Sequence, residues 1–393
     1  MKKLLYLKKG KEESLRRYHP WIFSGAVHHT EGDLQEGDIV TVLTSQGEFI
    51  AVGHWQIGSI SVRVLSFQDV PIDSHFWEER LRVALDVRRR IGVVGRPDNN
   101  TFRLVHGEGD NLPGLVIDLY GSIAVMQAHS VGMHFSRQEI ADALVNVMGD
   151  QLKAIYYKSE TTLPFKASLG QENGFLYGES KEDVAVENGL KFHIDWLKGQ
   201  KTGFFVDQRD NRSLLEKYSR DRSVLNMFCY TGGFSVYSMR GGARLVHSVD
   251  SSAKAIELVN ANVEMNFPDD TRHTAFVDDA FRYLEQMQQS YDLIILDPPA
   301  FAKHKDALKN ALRGYTKLNA KAFEKILSGG ILFTFSCSQA VNKDQFRTAV
   351  FTAAAISHRR VRILHQLHQP ADHPINIYHP EGEYLKGLVL YVE

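Results

Sequence analysis

The second half of the chain alternates short apolar runs with segments of helical period. Residues 223–228 form a β run ending in Tyr230-Thr231-Gly232-Gly233, with a helical stretch behind it. Residues 244–250 are the next run, and 252–266 carry apolar positions at the 3.6-residue spacing of a helix. The unit repeats: residues 273–277 lead into Asp278-Asp279-Ala280-Phe281 and a helix, 291–296 into Asp297-Pro298-Pro299, and 330–335 into Ser336-Cys337-Ser338. The middle runs are continuous rather than alternating, which a sheet covered on both faces requires. This pattern predicts an α/β fold with a doubly wound parallel sheet from residue 223 onward.

The first half follows a different pattern. Residues 38–43, 48–53 and 61–67 alternate or run apolar between turns such as Gln46-Gly47, a small β-barrel pattern over residues 1–70. Residues 74–91 predict a helix with an apolar face and an arginine face, the latter either solvated or an RNA contact. A middle α+β region follows, with strands at 102–104, 115–119, 123–128 and 154–157, a helix at 137–147 and a hairpin turn across residues 119–122. Asn188-Gly189, between alternating runs, is the strongest short hairpin signal in the chain and introduces the last region. We therefore expect three parts, 1–70, 71–180 and 181–393, in keeping with the two to three domains that 393 residues suggest.

Charge changes the picture little. With 46 basic and 47 acidic residues the formal net charge is −1, so global basicity announces no nucleic-acid partner. Locally, Lys2, Lys3, Lys8, Lys9, Lys11, Arg16 and Arg17 outnumber Glu12 and Glu13, either a phosphate-neutralising patch or an ordinary solvated terminus. Two cysteines exclude a disulfide framework and fit a reducing, cytoplasmic location. The amino-terminal Leu4-Leu5-Tyr6-Leu7 is too short for a signal-peptide core, and no apolar run approaches the roughly 20 residues of a membrane span. His365, His368 and His373 find no cysteine or carboxylate set that completes a zinc pattern, so neither membrane nor metal is expected. No internal repeat or low-complexity tract points to an array or scaffold.

The chemistry lies at the strand ends, where open α/β sheets bind ligands. Gly232-Gly233 admits close backbone approach, and Asp250, ending the second strand, is placed to accept hydrogen bonds from ribose hydroxyls. A dinucleotide enzyme would show three spaced glycines and a nucleoside triphosphatase a P-loop, and the chain has neither. Together with Asp279-Ala280 and Asp297-Pro298-Pro299, these features point to S-adenosylmethionine. Cys229 reads as a small buried hydrophobe. Cys337, between two serines at the carboxyl end of a central strand, is placed to face the ligand crevice. Methyl transfer needs a thiol when the acceptor is C5 of a pyrimidine, because thiolate addition at C6 makes C5 carbanion-like. The Asp297 carboxylate suits N3 or the exocyclic amine of cytosine as charge develops.

Four segments carry a family resemblance: residues 19–25 (HPWIFSG), 102–115 (FRLVHGEGDNLPGL), 201–209 (KTGFFVDQR) and 335–338 (FSCS). Over essentially the whole chain the sequence resembles the bacterial 23S ribosomal RNA cytosine-5 methyltransferases that carry an N-terminal PUA domain. The resemblance implies a PUA β-barrel, a middle domain and a class I, Rossmann-like methyltransferase domain, with S-adenosylmethionine as donor, 5-methylcytosine as product and Cys337 as attacking residue. The expected cofactor contacts are Gln208, Asn226, Phe228, Tyr230, Thr231, Gly232, Asp250, Asp279, Asp297 and Pro298, and the expected RNA contacts Lys201, Arg209 and Pro299. The implied partner is 23S ribosomal RNA, and a homodimer stays open. Better-known RNA cytosine-5 methyltransferases carry a second cysteine after the Asp-x-Pro motif; Ala300 follows Pro299 here, so product release uses another group or a water. The 201–209 segment is read as a loop over the cofactor, the alternative being that Asp207 merely caps the next helix.

Two rival functions are weighed. A nitrogen methyltransferase acting on a purine would use Asp-Pro-Pro to accept hydrogen bonds from the target amine, with an aromatic residue directly after the second proline; here Ala300 precedes Phe301. A non-catalytic RNA-binding protein would bind no S-adenosylmethionine.

Overall fold

The structure, a computed structural model, describes residues 3–164, 169, 172–302 and 305–393. Lys2 of the amino-terminal basic run lies outside the described residues. The chain divides into two units, one made of Met1–Val186, Ile194–Val206 and Ala371–Gly382, the other of Glu187–His193, Asp207–Pro370 and Glu383–Glu393.

The first unit holds a six-stranded sheet built from β1 (Leu4–Leu7), β2 (Trp21–Phe23), β3 (Val27–Glu31), β4 (Ile39–Leu43), β5 (Phe49–Trp55) and β6 (Ile60–Ser66), in the order β2-β6-β5-β4-β1-β3. Alternation buries Leu5 and Leu7 of β1 with Val40 and Val42 of β4, against which β1 runs parallel. Its second sheet contains β7 (Thr101–His106), β8 (Leu115–Tyr120), β9 (Ile123–Ala128), β10 (Ala154–Tyr157) and β11 (Gly174–Tyr177), ordered β11-β10-β9-β8-β7. Helices Ser74–Arg90 and Arg137–Met148 lay Trp77, Leu81, Ile140 and Leu144 on Leu104, Ile117 and Met126 of that sheet. The predicted turn between β8 and β9 is present: Tyr120 pairs with Ile123, and Gly121 supplies a φ of 61°.

The arginines of helix Ser74–Arg90 divide by burial. Arg82 and Arg90 form exposed pairs with Glu78 and Asp86 one turn earlier, whereas Arg88 is fully buried on Asp110 and donates to the Asp372 carbonyl at 2.7 Å. The Asp372 carboxylate accepts from the Arg103 backbone N–H at 3.0 Å, so the late segment Ala371–Gly382 is tied by hydrogen bonds to elements formed nearly 270 residues earlier.

Strands β12 (Val184–Glu187) and β13 (Leu190–His193) flank Asn188 and Gly189, both left-handed at φ 49° and 80°, as the hairpin signal predicts. The second unit is a seven-stranded sheet of β14 (Ser223–Met227), β15 (Leu245–Asp250), β16 (His273–Val277), β17 (Tyr291–Leu296), β18 (Ile326–Ser336), β19 (Val361–Leu367) and β20 (Lys386–Val392). Their order is β16-β15-β14-β17-β18-β20-β19. Every residue of β14 is buried and β17 nearly so, while the edge strands β16 and β19 are half exposed, which is why the central strands read as unbroken apolar runs. One departure from a purely parallel sheet appears. β20 runs antiparallel to both β18 and β19, and a strand buried on both faces carries the same apolar run whichever way it points.

Helices Gly233–Arg240, Ala253–Asn266, Ala280–Gln286, Leu308–Lys325 and Lys343–Ile356 connect these strands. Their starts are locally specified: the Ser252 side chain accepts from Ala255 N–H, and Asn342 with Gln345 forms a reciprocal capping box. Among the described residues no helix is long and apolar enough to cross a membrane, and no group of three or more His, Cys, Asp or Glu could hold a metal ion.

Candidate active site

The turn after β14 is unusual in its backbone. Phe228 and Tyr230 both adopt left-handed φ values, 57° and 46°, followed by Gly232 at 78°. Two non-glycine residues in that region cost about 1–3 kcal/mol each and persist only where neighbours over-determine them. Those neighbours are clear. Cys229 N–H donates to the Val249 carbonyl at 3.1 Å and Gly232 N–H to the Cys229 carbonyl at 2.8 Å, while Asn262 Nδ2 donates to the Thr231 carbonyl at 2.8 Å. Tyr230 N–H donates to Asp250 Oδ2 at 3.0 Å, and Ser252 N–H to Asp250 Oδ1 at 2.9 Å. Asp250 thus holds the turn after β14 and the start of the following helix together, each oxygen keeping a second lone pair for a ligand hydroxyl.

The glycines answer first to the protein. A Cβ on Gly232 would stand 2.9 Å from Val259 Cγ1, and one on Gly233 3.0 Å from Arg212 Cδ. Close packing on Val259 and a left-handed φ therefore demand Gly232, whatever lies in front, and Gly233 packs tightly on the Arg212 side chain. Arg212 is itself buried in a two-pronged ion pair with Glu187, at 2.9 and 2.7 Å, and the Tyr237 hydroxyl donates to the same carboxylate at 2.9 Å. Asn226, buried in β14, donates through Nδ2 to Ser235 Oγ at 2.8 Å, and its Oδ1 finds no hydrogen-bond partner among the described residues.

The ends of β17 and β18 bring carboxylate and thiol to the same edge. Asp297 accepts from Gln208 Nε2 at 3.0 Å, and Gln208 is oriented by Asn211, whose Nδ2 donates to its Oε1 at 2.7 Å. Next to Asp297, the Pro298 carbonyl lies 4.0 Å from Cys337 Sγ. The two serines beside Cys337 are fully buried and share one partner: Ser336 Oγ donates to the Tyr315 hydroxyl at 2.9 Å, and that hydroxyl lies 3.0 Å from Ser338 Oγ. Ala302 N–H adds a 3.3 Å bond to Ser338 Oγ. The serines the sequence placed around the thiol therefore act as a clasp that fixes its backbone, and Cys337 alone of the three is only half buried.

Lys386, the first residue of β20, had no role in the sequence reading. It is 4 % exposed, sits opposite Ser336 in the β18–β20 register, and donates from Nζ to the Ser338 carbonyl at 2.7 Å. Burial pulls its ammonium down to about 8, against the opposing pull of Cys337 and Glu383. A lysine heading an apolar run looks like any solvated strand end, so no local signal could have found it. Tyr315 escaped notice similarly, because an aromatic at an apolar position of a helix reads as core.

The remaining predicted residues divide. Gln208, Asn226, Phe228, Tyr230, Thr231, Gly232, Asp250, Asp297, Pro298 and Cys337 all lie in the second unit, most of them on the loops at the strand ends of one sheet. Asp279 spends Oδ1 on Phe281 and Arg282 N–H, both at 3.0 Å, capping its helix. Arg209 is buried at the start of helix Arg209–Tyr218, and Pro299 is exposed. Lys201 belongs to the first unit, where its Nζ stands 4.8 Å from the Phe205 ring centre and the adjacent Thr202 hydroxyl donates to Asp118 at 2.6 Å. The 201–209 segment is thus divided, its first part folding with one unit and Asp207 onward with the other. Asp207 accepts from the Tyr384 hydroxyl at 2.7 Å. Phe301, the aromatic near Asp-Pro-Pro, packs on Tyr315 with ring centres 4.7 Å apart.

An unpartnered buried amide oxygen and two carboxylates at adjoining strand ends make a set of acceptors, suited to a ligand that presents an ammonium group and vicinal hydroxyls. S-adenosylmethionine has both, so the residues present fit it.

Known proteins agree with this chemistry. A family model described as S-adenosylmethionine-dependent methyltransferase matches residues 165–378, and one described as a PUA-like domain matches residues 5–67. The chain is 40 % identical over 398 residues to ribosomal RNA large subunit methyltransferase I of Tolumonas auensis, covering 99 % of each. It is 41 % identical over 395 residues to the protein of that name from Aeromonas hydrophila, covering 98 % of each. Among solved structures, a putative S-adenosylmethionine-dependent methyltransferase from Streptococcus mutans matches the whole chain with a TM-score of 0.84 at 23 % identity. A putative methyltransferase crystallised with SAH gives 0.85 at 23 % identity, again over the whole of both chains. At that identity these two likenesses speak for the fold, the α/β class predicted from the apolar runs.

Proposed function

Since the chain belongs to the family of ribosomal RNA large subunit methyltransferase I, with a PUA-like domain before an S-adenosylmethionine-dependent methyltransferase domain, we propose that it methylates C5 of a cytosine in 23S ribosomal RNA through a transient Cys337–C6 bond. S-adenosylmethionine is the methyl donor, as the strand-end residues predicted. The observation that carries the C5 reading is the approach of Cys337 Sγ to the Pro298 carbonyl, 4.0 Å, which sets a half-buried thiol beside the Asp297 carboxylate at one sheet edge.

When bound, the donor supplies a methyl group on a sulfonium centre. Asp250 accepts from its ribose hydroxyls, and the buried Asn226 amide oxygen and Asp297 serve its ammonium side. Gln208, Phe228, Tyr230, Thr231, Gly232, Asp279 and Pro298 form the surrounding wall. Lys201, Arg209 and Pro299 contact RNA, the PUA-like region 1–70 binds RNA, a middle α+β region spans 71–180, and region 181–393 carries the methyl transfer, all in the cytoplasm.

Cys337 works as follows. Its thiolate adds to C6 of the cytosine, the electron pair moving through the ring toward N3 and leaving C5 carbanion-like. Asp297, oriented by Gln208, accepts from the exocyclic amine as a carboxylate, or as the acid gives its proton to N3, where that charge develops. Once C5 carries the methyl group, loss of the C5 proton lets the ring electrons expel the Cys337 thiolate. No second cysteine follows Pro299, so that proton leaves to a water or another group. A base in a helix must be flipped out to reach the thiol. The purine-nitrogen reading loses ground because Phe301 is committed to Tyr315.

The test is transfer of tritiated methyl from S-adenosylmethionine to unmodified 23S ribosomal RNA, with nucleoside analysis, for wild type and Cys337→Ala. The proposal expects 5-methylcytidine from wild type only. Label on a purine, or label that survives the substitution, overturns it.

A further inference from the structure

A buried cation needs a counter-anion, and Lys386 has none of the usual kind. Its Nζ is bonded to the Ser338 carbonyl at 2.7 Å, and among the described residues it makes no ion pair. Glu383, the acid nearest in effect, is engaged by Lys343. An ammonium kept from water without a carboxylate is costly, and a lysine-sized apolar side chain would pack at this position at no such penalty. What distinguishes the place is its neighbour. Lys386 pairs with Ser336 across the β18–β20 ladder and reaches past it to Ser338, so its ammonium bridges beneath the turn that carries Cys337. The charged groups bearing on it are Cys337 and Glu383, which favour the cation, and Lys343, which opposes it.

We propose that Lys386 is the positioning residue for the Cys337 nucleophile: its amine takes the thiol proton, and the ammonium so formed, anchored on the Ser338 carbonyl, keeps Cys337 as thiolate. The S–H bond breaks with its electron pair left on sulfur, and an N–H bond forms. When the thiolate is later expelled from C6 it returns to the same ammonium, so no proton is gained or lost at this pair over a cycle. The proposal rests on the reading of Cys337 as nucleophile. Lysine suits the task because a buried amine that titrates near neutrality can be either the neutral base or the cation.

The experiment needs no RNA. The rate at which iodoacetamide alkylates Cys337, resolved from Cys229 by peptide mass spectrometry, is measured against pH for wild type, Lys386→Met, Lys386→Gln and Lys386→Arg. Melting curves and calorimetric S-adenosylmethionine binding check that each variant is folded. In Lys386→Met and Lys386→Gln the profile moves to higher pH by about one unit or more, slowing alkylation at neutral pH about tenfold. Lys386→Arg, a permanent cation that cannot take the proton but still favours the thiolate, leaves the profile at or below the wild-type pH. Lys386→Gln still donates to the Ser338 carbonyl, so a shift there separates charge from mere support of the turn. Profiles that coincide in wild type and either neutral variant overturn the proposal. The underlying reading fails differently: if methylation survives Cys337→Ala while the alkylation shift is present, the ion pair stands and the nucleophile assignment falls.

Discussion

Cys229 and Cys337 follow strands β14 and β18 of the same sheet, yet the protein treats them oppositely. Cys229 is 6 % exposed, and burial, with the Asp250 carboxylate nearby, pushes its thiol well above the ordinary range. Its backbone is pinned to Val249 between two left-handed residues, and it contributes volume and a turn. Cys337 is half buried, with its flanking serines clasped by Tyr315 and a lysine beneath. The difference teaches that a strand-end position makes a thiol available, and that the groups around it are contributed by distant parts of the chain.

The largest break in this contrast is Cys337→Ala. Losing the proposed nucleophile should lower kcat for cytosine methylation by at least about 10³-fold, with calorimetric S-adenosylmethionine affinity unchanged. Retained turnover would make the two cysteines equivalent bystanders.

Asp297→Asn comes next. The amide keeps the size but neither holds the exocyclic amine as a carboxylate does nor gives a proton to N3, so on the proposed mechanism kcat should drop about 10²- to 10³-fold, with the Cys337 alkylation profile little changed. An effect confined to donor affinity would instead assign Asp297 to the cofactor alone.

Tyr315→Phe sharpens the comparison without touching sulfur. The hydroxyl satisfies two buried serines, and its loss should cost about 1–3 kcal/mol of stability in chemical denaturation. The thiol loses its fixed backbone at the same time, so kcat should fall about tenfold while the KM for S-adenosylmethionine holds. Unchanged kcat would show that the serine clasp is structural only.

Much of this site was legible in the sequence because its chemistry sits at strand ends, and buried parallel strands announce themselves as unbroken apolar runs. Residues 273–277 and 291–296 were bounded correctly from pattern alone, as were the turns at Gly121 and Asn188-Gly189. The short strands Leu4–Leu7, Trp21–Phe23 and Val27–Glu31 were not, since three to five residues give too few alternations to rise above the surrounding loop. Long-range assembly left no local trace either. Nothing near Asp372 says that its segment folds with Arg88 and Arg103, and nothing near Lys386 says that it is buried.

Cys229→Ala should do least. No functional group of the proposed mechanism is removed, so kcat and both KM values should stay within about twofold, and loss of a buried sulfur costs roughly 1 kcal/mol at neutral pH. Its signature lies in the pH dependence of stability. The folded thiol titrates well above the unfolded one, so the fold favours the protonated form. That contribution is fully present below the unfolded value of about 8.5 and is lost as pH rises toward the folded value, at up to about 1.4 kcal/mol per pH unit. Wild type should therefore lose stability faster than Cys229→Ala above about pH 8.5, so that the two denaturation curves converge. Curves that stay parallel through this range would mean that Cys229 is as open to solvent as an ordinary thiol, and the contrast with Cys337 would dissolve.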